Sequence, residues 1–196
     1  MFTIVAALKS ELDDLIQAIG PLNKSFIENG SLYAASGVHL LRTGIGAENA
    51  QRVLNRYLDQ FQPEKIINIG TAGALNLGLQ SGQIFSITGI INAADVDKIK
   101  IMQLQELKNT KSAILLTIDN PVLDEVCRND LYNKFKADLV DMEGYYFAKI
   151  AAQQNIPFYS VKIITDFADR SAETDFLNNY KIFSKRLSNF LFENLF

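Results

Sequence analysis

The chain has 196 residues, of which 48% are hydrophobic and 21% charged, and this length and composition favour one globular domain spanning residues 1–196. The formal net charge is −3 and the lysines and arginines are scattered, which argues against a partner that is nucleic acid or an anionic membrane. With one cysteine, Cys127, and one histidine, His39, an internal disulfide and a His/Cys metal site are excluded.

The N-terminus lacks the pattern of a secretory signal peptide, because residues 1–7 lead directly into a charged segment. No run of 18 apolar residues occurs anywhere in the sequence, so a membrane-spanning helix is not expected. These features, together with the single cysteine, favour a cytoplasmic protein.

The first third of the chain predicts a strand, a helix and an antiparallel meander. Residues 2–7 form a short apolar run typical of a buried strand, and residues 10–19 carry apolar positions at helical spacing with Ser10 as the expected N-cap. Gly20 and Pro21 end that helix. Three strands separated by glycine turns follow at residues 24–28, 31–35 and 38–43.

The remaining elements predict an α/β protein. Gly44-Ile45-Gly46 opens a helix with an apolar stripe from Ala47 to Phe61, and residues 65–69 form another buried strand. Further strands are expected at residues 112–118, 137–140 and 158–165, followed by a long helix from Glu173. The order of strand, glycine turn, helix and strand indicates parallel connections.

Polar side chains follow several of the predicted strands. Glu143 follows the apolar run 137–140, Asp166 follows the run 158–164, and the loops 8–11 and 70–74 contain Glu11 and Thr71. Ligands bind at such strand ends in open α/β sheets, so these residues are expected to form one pocket. Glycines in the loop 70–74, including Gly73, are expected to let backbone amides approach an oxygen-rich ligand.

Four segments occur in the order and spacing of the purine nucleoside phosphorylase/uridine phosphorylase superfamily: residues 43–46, 66–74, 140–144 and 163–169. Within this superfamily the chain most resembles the 5′-methylthioadenosine/S-adenosylhomocysteine nucleosidases, over residues 1 to about 90 and about 112 to 190. The resemblance implies a three-layer α/β/α sandwich with a mixed, partly closed central sheet. It also implies an active site at the strand ends, a small-molecule nucleoside as the binding partner, and a homodimer.

The resemblance assigns roles to individual residues. Asp166 matches the acid that protonates the purine at N7, and Glu11 matches the residue that positions and deprotonates the attacking water. Glu143 matches the carboxylate that binds the ribose hydroxyls, and Met142 the side chain that lies against the sugar. Thr71 stands where the family has a small hydroxyl residue. No metal and no organic cofactor are expected.

Three further residues complete the predicted substrate-binding set. Gly73 and Thr165 belong to the matching segments, and Lys162 stands where nucleosidases commonly have an arginine at the sugar end of the site. A lysine keeps the positive charge of that arginine but loses its planar fork of donors.

Hydrolysis is favoured over phosphorolysis. A phosphate nucleophile requires cationic or bidentate donors, whereas water requires only a base. The related phosphorylases have an arginine where this chain has Asn68, and their N-terminal Gly-x-Pro-x-Arg pattern is absent. A phosphate-dependent phosphorylase of the same fold is therefore the less favoured alternative.

The substrate is less well defined, because the middle of the chain departs from the resemblance. Residues 92–96 replace the family's His-Asp-Ala-Asp-Val, and residues 117–122 lack the aromatic ring that usually stacks on adenine. The run Met142-Glu143-Gly144-Tyr145 is also similar to futalosine hydrolase. Two alternatives thus stay open: a futalosine hydrolase-like enzyme and a catalytically quiet nucleoside-binding protein.

Several residues have simpler structural interpretations. His39 is expected to be structural and Cys127 to be a buried small hydrophobe. Tyr145, Tyr146 and Phe147 are interpreted as core or dimer-interface packing. The four polar site residues could each serve at a helix end instead, as caps or through the helix dipole: Glu11, Thr71, Glu143 and Asp166.

Overall fold

A mixed β-sheet runs through the part of the chain that the computed structural model describes, which is residues 1–95, 98–100, 107 and 110–196. Its strands are β1 (Phe2–Ala6), β2 (Asn23–Ile27), β3 (Gly30–Ala35), β4 (Val38–Arg42), β5 (Ile66–Ala74), β6 (Ile84–Asn92), β7 (Lys98–Lys100), β8 (Lys111–Thr117), β9 (Leu139–Asp141) and β10 (Phe158–Asp166). The helices are α1 (Asp13–Ile19), α2 (Ala47–Leu58), α3 (Glu125–Phe135), α4 (Gly144–Gln153) and α5 (Ala172–Leu195), with a short 3-10 helix at Lys9–Glu11.

Strand β5 is the branch point that makes the sheet partly closed. It pairs with β1 and β10 in parallel and with β9 in antiparallel orientation. Because β10 also pairs with β6, β6 with β8, and β8 with β9, these five strands close into a ring. Of the other strands, β1, β4, β3 and β2 extend from β5 as an open sheet, and β7 pairs with β6.

Helices cover both faces of this sheet. On one face α2 and α4 pack together over a core that includes Val53, Tyr57 and Phe147. On the other face α1 and α5 pack over a second core that includes Leu15 and Leu187. The stripe predicted for α2 is the face that is buried, as the helical period requires. The predicted three-layer arrangement and the partly closed mixed sheet are confirmed.

The antiparallel meander of β2, β3 and β4 and the parallel pairing of β1 with β5 also agree with the sequence prediction. The side chain of His39 lies buried on β4, where its Nδ1 forms a 2.8 Å hydrogen bond with the Tyr57 hydroxyl, which in turn hydrogen-bonds the Thr3 hydroxyl. Its ring packs edge-on against Phe61. This environment fits the structural role predicted for His39.

Three local predictions were wrong. Residues 70–74 are not a loop but the end of β5, because their backbone groups pair with strands on both sides. Ser10 is not an N-cap: it lies in the 3-10 helix, and α1 begins after Leu12. Cys127 is exposed rather than buried, because the side chain that α3 buries is its neighbour Arg128.

Part of the middle of the chain, where the resemblance is weaker, lies outside the described residues, namely residues 96, 97, 101–106, 108 and 109. In the remainder, Asn92 accepts a hydrogen bond from the Ala94 amide and donates one to Asp95. Among the helices that the structure describes, none is long and apolar enough to cross a membrane.

Candidate active site

One cavity of about 410 Å³ lies at the carboxyl ends of the parallel strands β1, β5 and β10. Its lining contains all eight residues that the sequence predicts for the site: Glu11, Thr71, Gly73, Met142, Glu143, Lys162, Thr165 and Asp166. Residues that are up to 155 positions apart in the sequence are thus brought together by the sheet, as the carboxyl-end location requires.

Glu11 is held by three donors. Its Oε1 accepts hydrogen bonds from the backbone amide of Thr71 at 2.8 Å and from the Thr71 hydroxyl at 3.0 Å, and its Oε2 accepts one from the Leu8 amide at 2.9 Å. A carboxylate offers about four lone-pair positions. One acceptor position therefore remains on Oε2, and Glu11 keeps a fixed orientation in the cavity wall.

Asp166 ends strand β10, directly after a bulge that places it opposite Gly73 of β5. Its Oδ1 accepts a hydrogen bond from the Ala168 amide at 3.0 Å, and its Oδ2 accepts one from the Thr165 hydroxyl at 2.8 Å. Burial raises the pKa of Asp166, and these two donors only partly oppose that effect. The environment of Asp166 thus shifts its protonation equilibrium towards the protonated form.

Glu143 is the residue that precedes helix α4, and its carboxylate reaches the beginning of α2. Its Oε1 accepts a hydrogen bond from the Gly46 amide at 2.6 Å, so the predicted Gly44-Ile45-Gly46 turn contributes to the site. Burial and the neighbouring charge of Asp141 raise the pKa of Glu143 to about 7.

Lys162 forms a buried ion pair that the sequence did not reveal. Its Nζ lies 2.9 Å from Asp141 Oδ2, and both side chains are 3% exposed. Burial alone would lower the pKa of Lys162, but the charges of Asp141 and two further carboxylates outweigh burial and raise it. Asp141 also accepts hydrogen bonds from the Thr117 hydroxyl and the Gly144 amide, which connects the lysine to the beginning of α4.

The two glycines of β5 leave room for two carboxylates of the site. A Cβ atom on Gly70 would lie 2.9 Å from Glu11 Oε1, and a Cβ atom on Gly73 would lie 2.9 Å from Asp166 Oδ1. The amide of Thr71 is likewise bound to Glu11. Glycine at these positions leaves the space that the two acidic side chains occupy. The approach of other backbone amides of this segment to a ligand stays a prediction.

The rest of the cavity wall is mainly apolar. Residues 118 and 121–123 contribute aliphatic side chains, and the segment supplies no aromatic ring, as expected. Rings come instead from Phe147 of α4, which was interpreted as packing alone, and from Phe176 of α5, which was missed. The signal for Phe176 was its place in the first turns of the helix that follows Asp166.

The cavity lining contains further polar groups that sequence reasoning did not assign to the substrate site, among them Asp141 and Asn68. Within the described ranges, no group of three or more histidine, cysteine, aspartate or glutamate side chains is arranged to hold a metal ion.

The fold and the site agree with what comparison with known proteins shows. The family model of the phosphorylase superfamily matches residues 2–103 and 97–195, and the chain belongs to this superfamily. Within it the chain is similar to 5′-methylthioadenosine/S-adenosylhomocysteine nucleosidases. The relative from Buchnera aphidicola subsp. Schizaphis graminum is 27% identical and the alignment covers 94% of this chain and 92% of the relative. The relative from Staphylococcus epidermidis is 24% identical, with both chains covered completely.

Solved structures show the same fold. The nucleosidase of Neisseria meningitidis, in complex with methylthio-immucillin-A, superposes with a TM-score of 0.91 at 19% identity, covering 99% of this chain and 97% of that one. A mutant of the futalosine hydrolase of Helicobacter pylori superposes with a TM-score of 0.88 at 16% identity, with the same coverage. The predicted superfamily and the resemblance to the nucleosidases are confirmed, whereas these structures do not separate the two substrate classes.

Proposed function

We propose that the protein is a nucleosidase that hydrolyses the N-glycosidic bond of a purine nucleoside such as 5′-methylthioadenosine or S-adenosylhomocysteine. The observation that carries this proposal is the meeting of Glu11, Glu143 and Asp166, each with a different hydrogen-bonding environment, in one cavity. The similarity to nucleosidases over nearly the whole chain supports the same function.

In this proposal Asp166 is the general acid. Departure of a purine anion is slow, so a proton delivered to N7 as the bond breaks makes the base a neutral leaving group. Burial raises the pKa of Asp166, which increases the protonated fraction near neutral pH. The Ala168 amide and the Thr165 hydroxyl hold the carboxyl group in one orientation.

Glu11 is the proposed base for the attacking water. Three of its four acceptor positions are occupied by Thr71 and Leu8, which leaves one position on Oε2 for a water molecule. Proton transfer to this carboxylate generates the nucleophile that attacks C1′. As the old bond breaks, positive charge develops on the sugar, and nearby carboxylates stabilise that charge.

Glu143 and Met142 are proposed to bind the sugar. The Gly46 amide occupies one oxygen of Glu143, so the other oxygen is available for ribose hydroxyls. Met142 offers an apolar surface to the ring without competing for those hydrogen bonds. Lys162, Thr165, Thr71 and Gly73 are proposed to shape the same site, with Lys162 held at its position by Asp141.

Hydrolysis rather than phosphorolysis is supported by two polar groups of the cavity. The amide nitrogen of Asn68 donates to the carbonyls of Val5 and Ile69, and its oxygen accepts from Ser160. Among the described residues that line the cavity, the one cationic side chain is that of Lys162, and it already forms an ion pair with Asp141. A phosphate dianion would require cationic or bidentate donors that are free to bind it.

The test is the release of free base from a panel of nucleosides, each with and without phosphate. The panel contains 5′-methylthioadenosine, S-adenosylhomocysteine, futalosine and inosine, and Asp166→Asn serves as the control for contaminating activity. Phosphate-independent release from either of the first two substrates supports the proposal. Release from futalosine alone identifies a futalosine hydrolase-like enzyme, and release that requires phosphate identifies a phosphorylase. Binding without release from any substrate identifies a catalytically quiet binding protein.

A further inference from the structure

Helix α3 buries an arginine that lies outside the cavity lining. Arg128 has a side chain that is 7% exposed, while its helix neighbours Val126, Cys127 and Asn129 are exposed. Arginine is rarely buried unless it is paired, because removing its charge from water is costly. The groups that Arg128 contacts should therefore explain why a charged side chain is buried at this position.

Those contacts are made with the segment that follows Asp166. The Nη1 atom of Arg128 donates to the Phe167 carbonyl at 3.2 Å and lies 3.4 Å from Asp169 Oδ2. Its Nε atom donates to the side chain of Asn129 at 3.2 Å. One guanidinium thus binds two of the three residues that come directly after the proposed acid.

The turn that Arg128 binds has an unfavourable backbone conformation. Ala168 has a φ of 49°, which lies in the left-handed region that residues other than glycine seldom adopt. In this conformation the Ala168 amide points back to Asp166 and donates to its Oδ1. Such a conformation persists only where surrounding contacts hold it, and Arg128 contacts the residues on both sides of Ala168.

We propose that Arg128 is a positioning residue for the reaction: by binding the Phe167 carbonyl and the Asp169 carboxylate, it holds the turn at residues 166–169 in the conformation that orients Asp166 in the cavity. This inference rests on the proposed function of Asp166 as the general acid. Arg128 does not line the cavity, and it acts through the backbone of the turn.

The charges around the turn give the proposal a distinctive signature. The carboxylates of Asp175 and Asp169 raise the pKa of Asp166, whereas the Ala168 amide and the Thr165 hydroxyl lower it. Removal of Arg128 should withdraw the positive charge beside Asp169, whose carboxylate is then held by the neutral amide and hydroxyl of Ser171, and should release the Ala168 amide. Both changes should raise the pKa of Asp166. The decrease in activity on the alkaline side should therefore begin at a higher pH, even though the maximal rate falls.

The test compares Arg128→Met and Arg128→Lys with Arg170→Gln as a matched control. Arg170 directly follows the turn and pairs with Glu125 of α3, so it also connects this region to the helix, but its side chain is 82% exposed. All variants are assayed for base release at temperatures where thermal unfolding curves show them fully folded. Arg128→Met should lower kcat roughly tenfold or more, because a small displacement of a catalytic group has a large effect on rate. KM should change by no more than about twofold.

The pH profile distinguishes positioning from a structural role. In Arg128→Met the alkaline limb of the kcat profile should move to higher pH, because Asp166 must be protonated to act. Arg128→Lys keeps the charge but loses the fork of donors, so its limb should lie near the wild-type limb while its kcat is intermediate. Arg170→Gln should leave both quantities at wild-type values, since exposed ion pairs contribute little.

A second substitution tests the turn itself. Glycine adopts a positive φ readily, so Ala168→Gly should recover part of the kcat that Arg128→Met loses. A kcat near wild type in Arg128→Met, or an unmoved alkaline limb combined with no recovery in the double variant, would overturn the inference. Wild-type protein that releases no base from any nucleoside in the panel would instead contradict the proposed function, so the two failures can be told apart.

Discussion

At the scale of single residues, the site gathers acidic side chains that water would normally solvate. Asp141 is compensated by Lys162 and by two further donors, whereas Glu11 is held by neutral backbone and hydroxyl donors. Buried carboxylates are costly unless such partners are present. Asp166 and Glu143 are the less compensated members, and burial raises the pKa of both.

Asp166→Asn should remove most base release. Asparagine keeps the shape of the side chain but has no acidic proton, and a general acid typically contributes about 10²- to 10⁴-fold to the rate. The measurement is kcat for the best substrate of the panel. Asp175→Asn is the control, because Asp175 is a nearby carboxylate that does not line the cavity. Activity of Asp166→Asn within a few fold of wild type would refute the acid role.

Glu143→Gln should stabilise the protein in a manner that depends on pH. The pKa of Glu143 is about 7 in the folded chain, above the ordinary value of 4.5, so the folded state binds the proton more tightly than the unfolded state. Wild-type stability attributable to Glu143 is therefore greatest below about pH 4.5 and falls as pH rises towards 7. Glutamine carries no charge at any pH and avoids this loss.

The measurement is the melting temperature of Glu143→Gln minus that of wild type, followed from pH 4.5 to 8. The difference in melting temperature should grow through this range and level off above pH 7. At that plateau it should correspond to a gain of about 1–3 kcal/mol in the free energy of unfolding. The exposed Glu48 provides the control substitution Glu48→Gln. A difference that does not vary with pH would show that Glu143 is ionised at its ordinary pKa.

At the scale of elements, the site depends on how β5 and β10 lie together. The two strands are parallel, and their pairing begins with Phe158 opposite Ile66. A bulge between Ile164 and Asp166 then shifts the register, so that Asp166 lies opposite Gly73. The bulge turns the acid towards the cavity, a known use of such irregularities next to active sites. Strand β5 can accept the acid there only because residue 73 has no side chain.

Gly73→Ala should lower activity with little effect on folding. The added Cβ would lie 2.9 Å from Asp166 Oδ1 and 3.2 Å from the Val140 side chain, so the acid must move. We expect kcat to fall roughly tenfold or more, because positioning of the acid is disturbed. The melting temperature should change little. Alanine restricts the conformations of the unfolded chain more than glycine does, and this stabilising effect offsets the crowding in the folded state.

The matched control for this substitution is Gly89→Ala in β6 of the same sheet. A Cβ there would meet the ends of the Ile114 and Lys98 side chains at 3.1 and 3.2 Å, and both ends can move aside. Base release by Gly89→Ala should be close to that of wild type. Equal losses in the two variants would mean that general crowding of the sheet, rather than displacement of Asp166, explains the effect.

At the scale of the whole molecule, we expect two chains to associate. The resemblance to the nucleosidases implies a homodimer, and two apolar residues at the cavity are well exposed, Ile45 at 53% and Leu123 at 48%. Exposed apolar side chains that lie together commonly mark an interaction surface. Sedimentation equilibrium should therefore give twice the 21.9 kDa mass of one chain. A single-chain mass throughout the micromolar range would contradict this prediction.

Much of the architecture could be predicted because its signals are local. The apolar stripe of α2 and the glycine turns of the meander lie within a few neighbouring residues, and the structure has these elements as expected. The prediction failed where distant pairing decided the outcome. Residues 70–74 contain two glycines, which predicts a loop, yet β9 and β10 pair with them from either side.

The amino-acid sequence alone was enough to predict the superfamily, the α/β architecture and eight of the residues that line the cavity, because its motifs and short periodicities involve residues that are close together in the chain. How those residues are held depends on contacts between distant parts of the chain. Thr71 binds Glu11 across 60 positions and Gly46 binds Glu143 across 97. The pairing of Lys162 with Asp141 and of Arg128 with Asp169 was likewise visible only in the folded chain. Such contacts depend on the geometry of the sheet and its helices, and no single segment of the sequence specifies them.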